Sequence, residues 1–204
     1  MKYKHSNVVS TDYTHGKILS LDYGLNVEDR IIYLDDSISI MEVSALQEKI
    51  KTILAKNKTK PITLQISSYG GDAHAMFGII DIINKCPVPI NTTVIGPAMS
   101  AASLILAAGT GKRTMSPNSI VMIHQVSNWL AGTAADIMNG ATFTNQLQEK
   151  FNSMLAYYTK KDINFWKNAT HTDLYLTPEK CVEYGVVDGI EKTNPRPPSR
   201  GKGW

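Results

Sequence analysis

The chain is poor in cysteine. Its two, Cys86 and Cys181, are too few for a disulfide framework or a zinc cage and point to a reducing compartment. It has no HxxxH or CxxC spacing that would mark a metal site, and neither a P-loop nor a GxGxxG fingerprint for a nucleotide. The most apolar stretch, residues 94–109, is interrupted by Pro97, Ser100 and Ser103 and falls short of the roughly 18 residues that a bilayer span requires. The first residues, MKYKHSNVVSTDYTHGK, contain no apolar core of a secretory signal. The expectation is a cytoplasmic protein with no membrane contact. An excess of one charge is missing as well. The formal net charge is +3, but the tail TNPRPPSRGKGW holds Arg196, Arg200 and Lys202 and no acid, which leaves residues 1–192 neutral. A neutral body argues against a nucleic-acid-binding face.

What is present suffices for a core. At 204 residues, 43% hydrophobic and 19% charged, the chain fits one domain, expected over residues 21–192. Residues 1–20 are expected to be a flexible N-terminal segment. Residues 193–204, with their prolines and glycines, are expected to be a disordered tail.

Hydrophobic period alternates along the body. Residues 30–34 predict a short strand, followed by a helix bearing Val43, Leu46, Ile50 and Ile53. Residues 62–67 (ITLQIS) alternate apolar and polar as a half-buried strand does. Met76, Ile79, Ile80 and Ile83 then mark one face of a helix, which Pro87 and Pro89 stop. A strand is expected at 90–95, a helix buried all round at 100–108, a strand at 119–126 and the longest helix at 134–158. Thr177-Pro178-Glu179 opens a last helix as cap and first-turn proline, Gly185 closes it, and 186–190 predicts a final strand. Strands alternating with helices indicate an α/β fold with a largely parallel sheet.

Four polar features fall at the joints. Ser68-Tyr69-Gly70-Gly71 follows a strand and precedes a helix, so its glycines can turn backbone N–H groups toward a bound oxygen. Ser100, in Gly96-Pro97-Ala98-Met99-Ser100-Ala101-Ala102, stands where a serine is ordinarily an N-cap but where a nucleophile is also well placed. His124 shares a strand face with Ile120 and Met122, an odd setting for an imidazole. Asp173, alone, is an ordinary loop aspartate. Together the three supply a nucleophile, a base and an orienting carboxylate.

The segments ISSYGGD, GPAMSAASLILAAGTGKR, PNSIVMIHQ, AGTAADI and residues 173–188 resemble the caseinolytic (Clp) protease proteolytic subunit, over most of residues 20–190. The resemblance implies a crotonase-like α/β fold of repeated ββα and βα units with a protruding strand–helix handle. It implies Ser100, His124 and Asp173 as the catalytic triad, and the N–H groups of Gly71 and Ala101 as the oxyanion hole. Gly70, Val126 and Ser127 would bind substrate, the last two on an extended strand that pairs with the peptide. Residues 1–20 would form an axial segment. The chain departs from the family in having Tyr69 where a proline is usual and Ala101-Ala102 where Met-Gly is usual; neither change removes a backbone donor.

The expected assembly is a homo-oligomer of heptameric rings stacked as a tetradecamer. It would be served by an AAA+ unfoldase that spends the ATP and would act on unfolded polypeptides. No cofactor or metal is expected in this chain. The rival readings are a catalytically inactive ring subunit, a crotonase-type acyl-CoA enzyme and a signal-peptide peptidase with a Ser–Lys dyad.

Overall fold

Strand-then-helix units in succession build the core of the computed structural model, which describes residues 24–193 and the backbone of residues 19–20. Two short strands, β1 (Leu19–Ser20) and β2 (Leu25–Asn26), lead in. Then come β3 (Ile31–Leu34) with α1 (Ile40–Lys56), β4 (Ile62–Ser68) with α2 (Ala73–Lys85), and β5 (Ile90–Met99) with α3 (Ala101–Ala107). The second half holds β6 (Arg113–Met115), β7 (Ile120–Ile123), α4 (Ala134–Thr159), α5 (Ile163–Ala169), β8 (Leu174–Leu176), α6 (Pro178–Glu183) and β9 (Gly189–Ile190). The expected flexible segments 1–20 and 193–204 lie outside the described residues, apart from β1 and Thr193.

The sheet runs β1-β2-β3-β4-β5-β6-β9, parallel from β3 onward, with β1, β2 and β3 antiparallel. Alternation drives the central strand: Ile62, Leu64 and Ile66 of β4 are buried while Thr63 and Gln65 are only half-buried. The apolar stripe of α2 packs inward at Met76, Ile79, Ile80 and Ile83, and its start is fixed by Asp72, whose carboxylate accepts the Ala75 N–H. α1 buries Leu46, Ile50 and Ile53 beside it. α3, made of small and aliphatic residues, is buried along its whole length.

β5 is where the sheet forks. Thr92–Val94 pair with β6, whereas Pro97–Met99 pair with β7, which in turn pairs antiparallel with β8. Gly96 turns the strand between partners at φ +88, a region open to glycine. Ser119 stitches the fork, accepting the Gly96 N–H and donating to the Val94 carbonyl. The strand expected to end at residue 95 therefore runs on to Met99, because a second partner takes over after the glycine and proline. The fork ends at Ser100.

Other expectations are corrected. The strand expected at 119–126 stops at Ile123, and residues 124–130 join no ladder among the described residues. The expected strand is cut short because a strand needs a neighbour to bond and these residues have none among the described residues. The last strand shrinks to Gly189–Ile190 because the N–H groups of Val186 and Val187 turn back to the Cys181 carbonyl. α4 starts at a capping box of Thr133 and Asp136, but it buries only Phe151, Asn152, Leu155 and Thr159. Its first three turns bury no side chain, with Ile137, Met138 and Phe143 exposed, and Trp129 ahead of the helix is exposed as well. Among the described residues no helix is long and apolar enough to cross a membrane.

Candidate active site

Ser100 occupies the hinge between β5 and α3 with φ 52 and ψ −123, which an L-residue holds only under strain of ~1–3 kcal/mol. Neighbouring bonds impose it. The Ser100 N–H donates to the Met122 carbonyl of β7 at 2.8 Å, and the Ser100 carbonyl accepts from Ser103, through its N–H at 3.0 Å and its hydroxyl at 2.6 Å. The Ser100 hydroxyl makes no cap bond to the helix. The ordinary reason for a serine at a helix start is therefore absent.

That hydroxyl instead lies 2.9 Å from His124 Nε2. β7 runs alongside the end of β5, and His124 follows directly on Ile123, half-buried on the face that Met122 shares. Asp173 directly precedes β8, whose Leu174 pairs with Ile123, so the ladder sets Asp173 opposite His124. Its carboxylate is exposed and makes no hydrogen bond or ion pair with the imidazole among the described residues. The structure brings the serine and histidine together and leaves the aspartate beside them.

The backbone donors follow from the loop between β4 and α2. Ile38 donates to the Gly70 carbonyl and accepts from the Asp72 N–H, a bridge that turns the Gly71 N–H to the opposite side. The Ala101 N–H opens α3 and has no intrahelical acceptor. Neither N–H has an acceptor among the described residues. Gly71 and Ala101 line the same cavity of ≈ 180 Å³ as Ser100 and His124, together with Val126 and Ser127.

Gly70 is different. It is buried, it does not line this cavity, and a Cβ there would lie 2.7 Å from both Ser100 Cβ and the Met99 carbonyl oxygen. Only glycine lets this loop pass behind the serine.

Three apolar side chains, Met76, Leu147 and Phe151, floor the cavity, and Asp72, His74 and Asn128 rim it. Met76 was legible only as part of a helix stripe, and Leu147 and Phe151 only as members of the longest expected helix. His74 was not singled out, although its place in the first helical turn after the glycine loop was a usable signal; its ring stacks on Phe143 of α4, centroids 5.8 Å apart. Outside this pocket, burial, aided by Glu179, pushes the Cys181 thiol up to about 12, so it stays protonated and inert.

The model of the Clp protease family matches residues 16–194. The chain is 33% identical over 168 residues to the ATP-dependent Clp protease proteolytic subunit 4, chloroplastic, of Arabidopsis thaliana. That alignment covers 82% of this chain and 58% of the relative, so the chain spans less than two thirds of the relative's length. Because the family match takes in every element from β1 to β9, the elbow and the strand that faces it included, the chain belongs to the Clp protease family.

Proposed function

We propose that the protein is a serine endopeptidase, the proteolytic subunit of an ATP-dependent unfoldase–protease. The observation that carries this is the 2.9 Å contact between Ser100 Oγ and His124 Nε2 at a strained strand-to-helix hinge. In the reaction Ser100 Oγ attacks a peptide carbonyl as His124 takes its proton, and the imidazolium then protonates the leaving amine. Water, deprotonated by the same imidazole, releases the acyl group and restores the hydroxyl. The N–H groups of Gly71 and Ala101 stabilise the oxyanion; one such donor is typically worth ~10²–10³ in kcat. Asp173 orients the imidazole once its side chain swings toward His124, a role supported by its place in the ladder. These steps draw on no cofactor in this chain.

Substrate is an unfolded polypeptide laid along residues 124–128, with an AAA+ unfoldase as the ATP-using partner. The assembly is two stacked heptameric rings built on a crotonase-like fold. Support for a buried contact between copies comes from the apolar residues that α4 leaves exposed, Met138 at 70% and Ile137 at 43%, together with Trp129 at 89%. A catalytically inactive ring subunit is the second reading, favoured by one observation, the missing bond between Asp173 and His124. Hydrolysis of a fluorogenic peptide by wild type and Ser100→Ala separates the two. The enzyme reading expects turnover that the variant abolishes without unfolding; no turnover by the assembled wild type, or equal turnover by both, supports the inactive reading.

A further inference from the structure

Residues 124–128 form one wall of the cavity, and among the described residues no neighbouring strand holds them. A side chain holds them instead. The Val126 N–H donates to Gln148 Oε1 at 2.6 Å, and Gln148 Nε2 donates to Asn152 Oδ1 at 3.0 Å. Gln148 sits one turn before Asn152 on α4, and Asn152 is 3% exposed, where the helix enters the core. The link therefore runs from a rigid, buried amide out to the wall. The same stretch of α4 supplies Leu147 and Phe151 to the cavity floor, so wall and floor are fixed by one helix.

The direction of this bond has a consequence for substrate. In an extended chain, successive residues send their N–H and C=O groups to opposite sides. With the Val126 N–H committed to α4, the main-chain groups of Gln125 and Ser127 are directed away from α4. Both residues line the cavity, and neither N–H has an acceptor among the described residues. A free, evenly spaced pair of main-chain edges beside a serine–histidine pair fits an extended peptide added as a strand.

We infer that Gln148 is a positioning residue that sets the register of peptide binding: by holding Val126 it presents Gln125 and Ser127 to the substrate backbone. The inference rests on the peptidase reading above. It keeps the expected main-chain contact at Ser127 and puts Gln125 in place of Val126, whose amide is already used.

The test compares wild type, Gln148→Met and Gln148→Glu. Met keeps an unbranched helix-forming side chain but offers no acceptor, while Glu keeps an oxygen for the Val126 N–H and a second oxygen to which Asn152, with its amide turned round, donates. Gln148→Met is expected to raise KM for an extended fluorogenic peptide about three- to tenfold, the range that one neutral hydrogen bond supplies, with kcat little changed. Gln148→Glu is expected to restore KM. Labelling of Ser100 by a small fluorophosphonate, which uses no extended backbone, is expected to keep its wild-type rate in both. Amide exchange in the segment 124–130 is expected to quicken in the Met variant alone. An unchanged KM in Gln148→Met, or a fall in kcat and labelling rate with KM constant, overturns the inference. So does a Glu variant that behaves like Met. Should Gln148→Met fail to fold, Gln148→Ala carries the same expectations. A wild type that neither hydrolyses peptide nor takes the probe defeats the peptidase reading itself, whereas variants indistinguishable from an active wild type defeat only the role of Gln148.

Discussion

Gly70→Ala attacks the site without removing any group that reacts. Gly70 has φ +100, and an alanine held there costs ~1–3 kcal/mol in backbone strain. Its Cβ would stand 2.7 Å from Ser100 Cβ and from the Met99 carbonyl oxygen, and 3.1 Å from the Ala101 nitrogen. Ordinary contact needs about 0.7 Å more, and a close-packed interior gives way only by shifting its neighbours. Those neighbours are the elbow. A displacement of this size takes Ser100 Oγ out of hydrogen-bond range of His124, now 2.9 Å away, and moves the Ala101 N–H from the oxyanion position. A misplacement near 1 Å can cost roughly 10²-fold, so kcat/KM for a fluorogenic peptide should fall ~10- to 100-fold. Urea unfolding should show a loss of about 2–4 kcal/mol. Gly189→Ala is the matched control, because a Cβ there meets nothing within 4 Å. It should stay within about 0.5 kcal/mol of wild type and keep full activity. A Gly70→Ala protein with wild-type kcat/KM, whether destabilised or not, would refute the tie between the elbow's packing and the rate.

Substitutions at two further positions probe the frame that carries the strand-to-helix hinge at Ser100. Arg30, at φ 59, donates to the carbonyls of Ile53, Asn57, Lys60 and Pro61 at 2.6–3.2 Å and so closes the C-terminal end of α1. Arg30→Ala should cost about 2–3 kcal/mol in chemical unfolding, and Arg30→Gly about 1 kcal/mol less, since glycine relieves the left-handed strain. Equal losses would mean that the backbone conformation there is unstrained. Asp188 links β6 to β9: burial pushes its carboxyl up, but hydrogen bonds and charge from Arg113 outweigh this and hold it below the usual 3.8. A depressed carboxylate stabilises the fold above its unfolded value and loses that contribution as pH falls through the folded one. Asp188→Asn should therefore be less stable than wild type at about pH 7, with a deficit that shrinks as pH falls below 3.8; a deficit that stays constant through that fall would show that the charge is not its source.

Much of the frame was legible because its elements bury one face only. The alternation of Ile62 to Ser67 and the stripe Met76–Ile83 gave β4 and α2, and Thr177-Pro178 gave the start of α6, whose Thr177 hydroxyl accepts the Lys180 N–H. Elements of two or three residues, β1, β2, β6 and β8, carry too few positions for a period to show. α5 was missed for a related reason: seven residues long, it buries Trp166 alone, with the indole N–H donating to the Thr159 hydroxyl. The length of β5 was hidden by Gly96 and Pro97, which ordinarily end a strand and here mark a change of partner.

The site was legible in its chemistry and less so in its geometry. Ser100 and His124 stood at the ends of predicted elements, and the fold brings them into contact. Asp173 was read as a loop aspartate ahead of the last capped helix, without the strand β8 that follows it, and whether its carboxylate meets the imidazole is decided by a rotamer, which no spacing encodes. Gln148 had no signal at all, because a polar residue on an exposed helix face looks the same whether it holds a loop or faces water.

The most direct measurement of the central claim is where a fluorophosphonate goes. If Ser100 is a hydroxyl activated by His124, intact mass should show one adduct per chain, peptide mapping should assign it to Ser100, and His124→Ala should lose the label while remaining folded. A wild-type protein that takes no adduct, or one that His124→Ala labels equally fast, would contradict the claim.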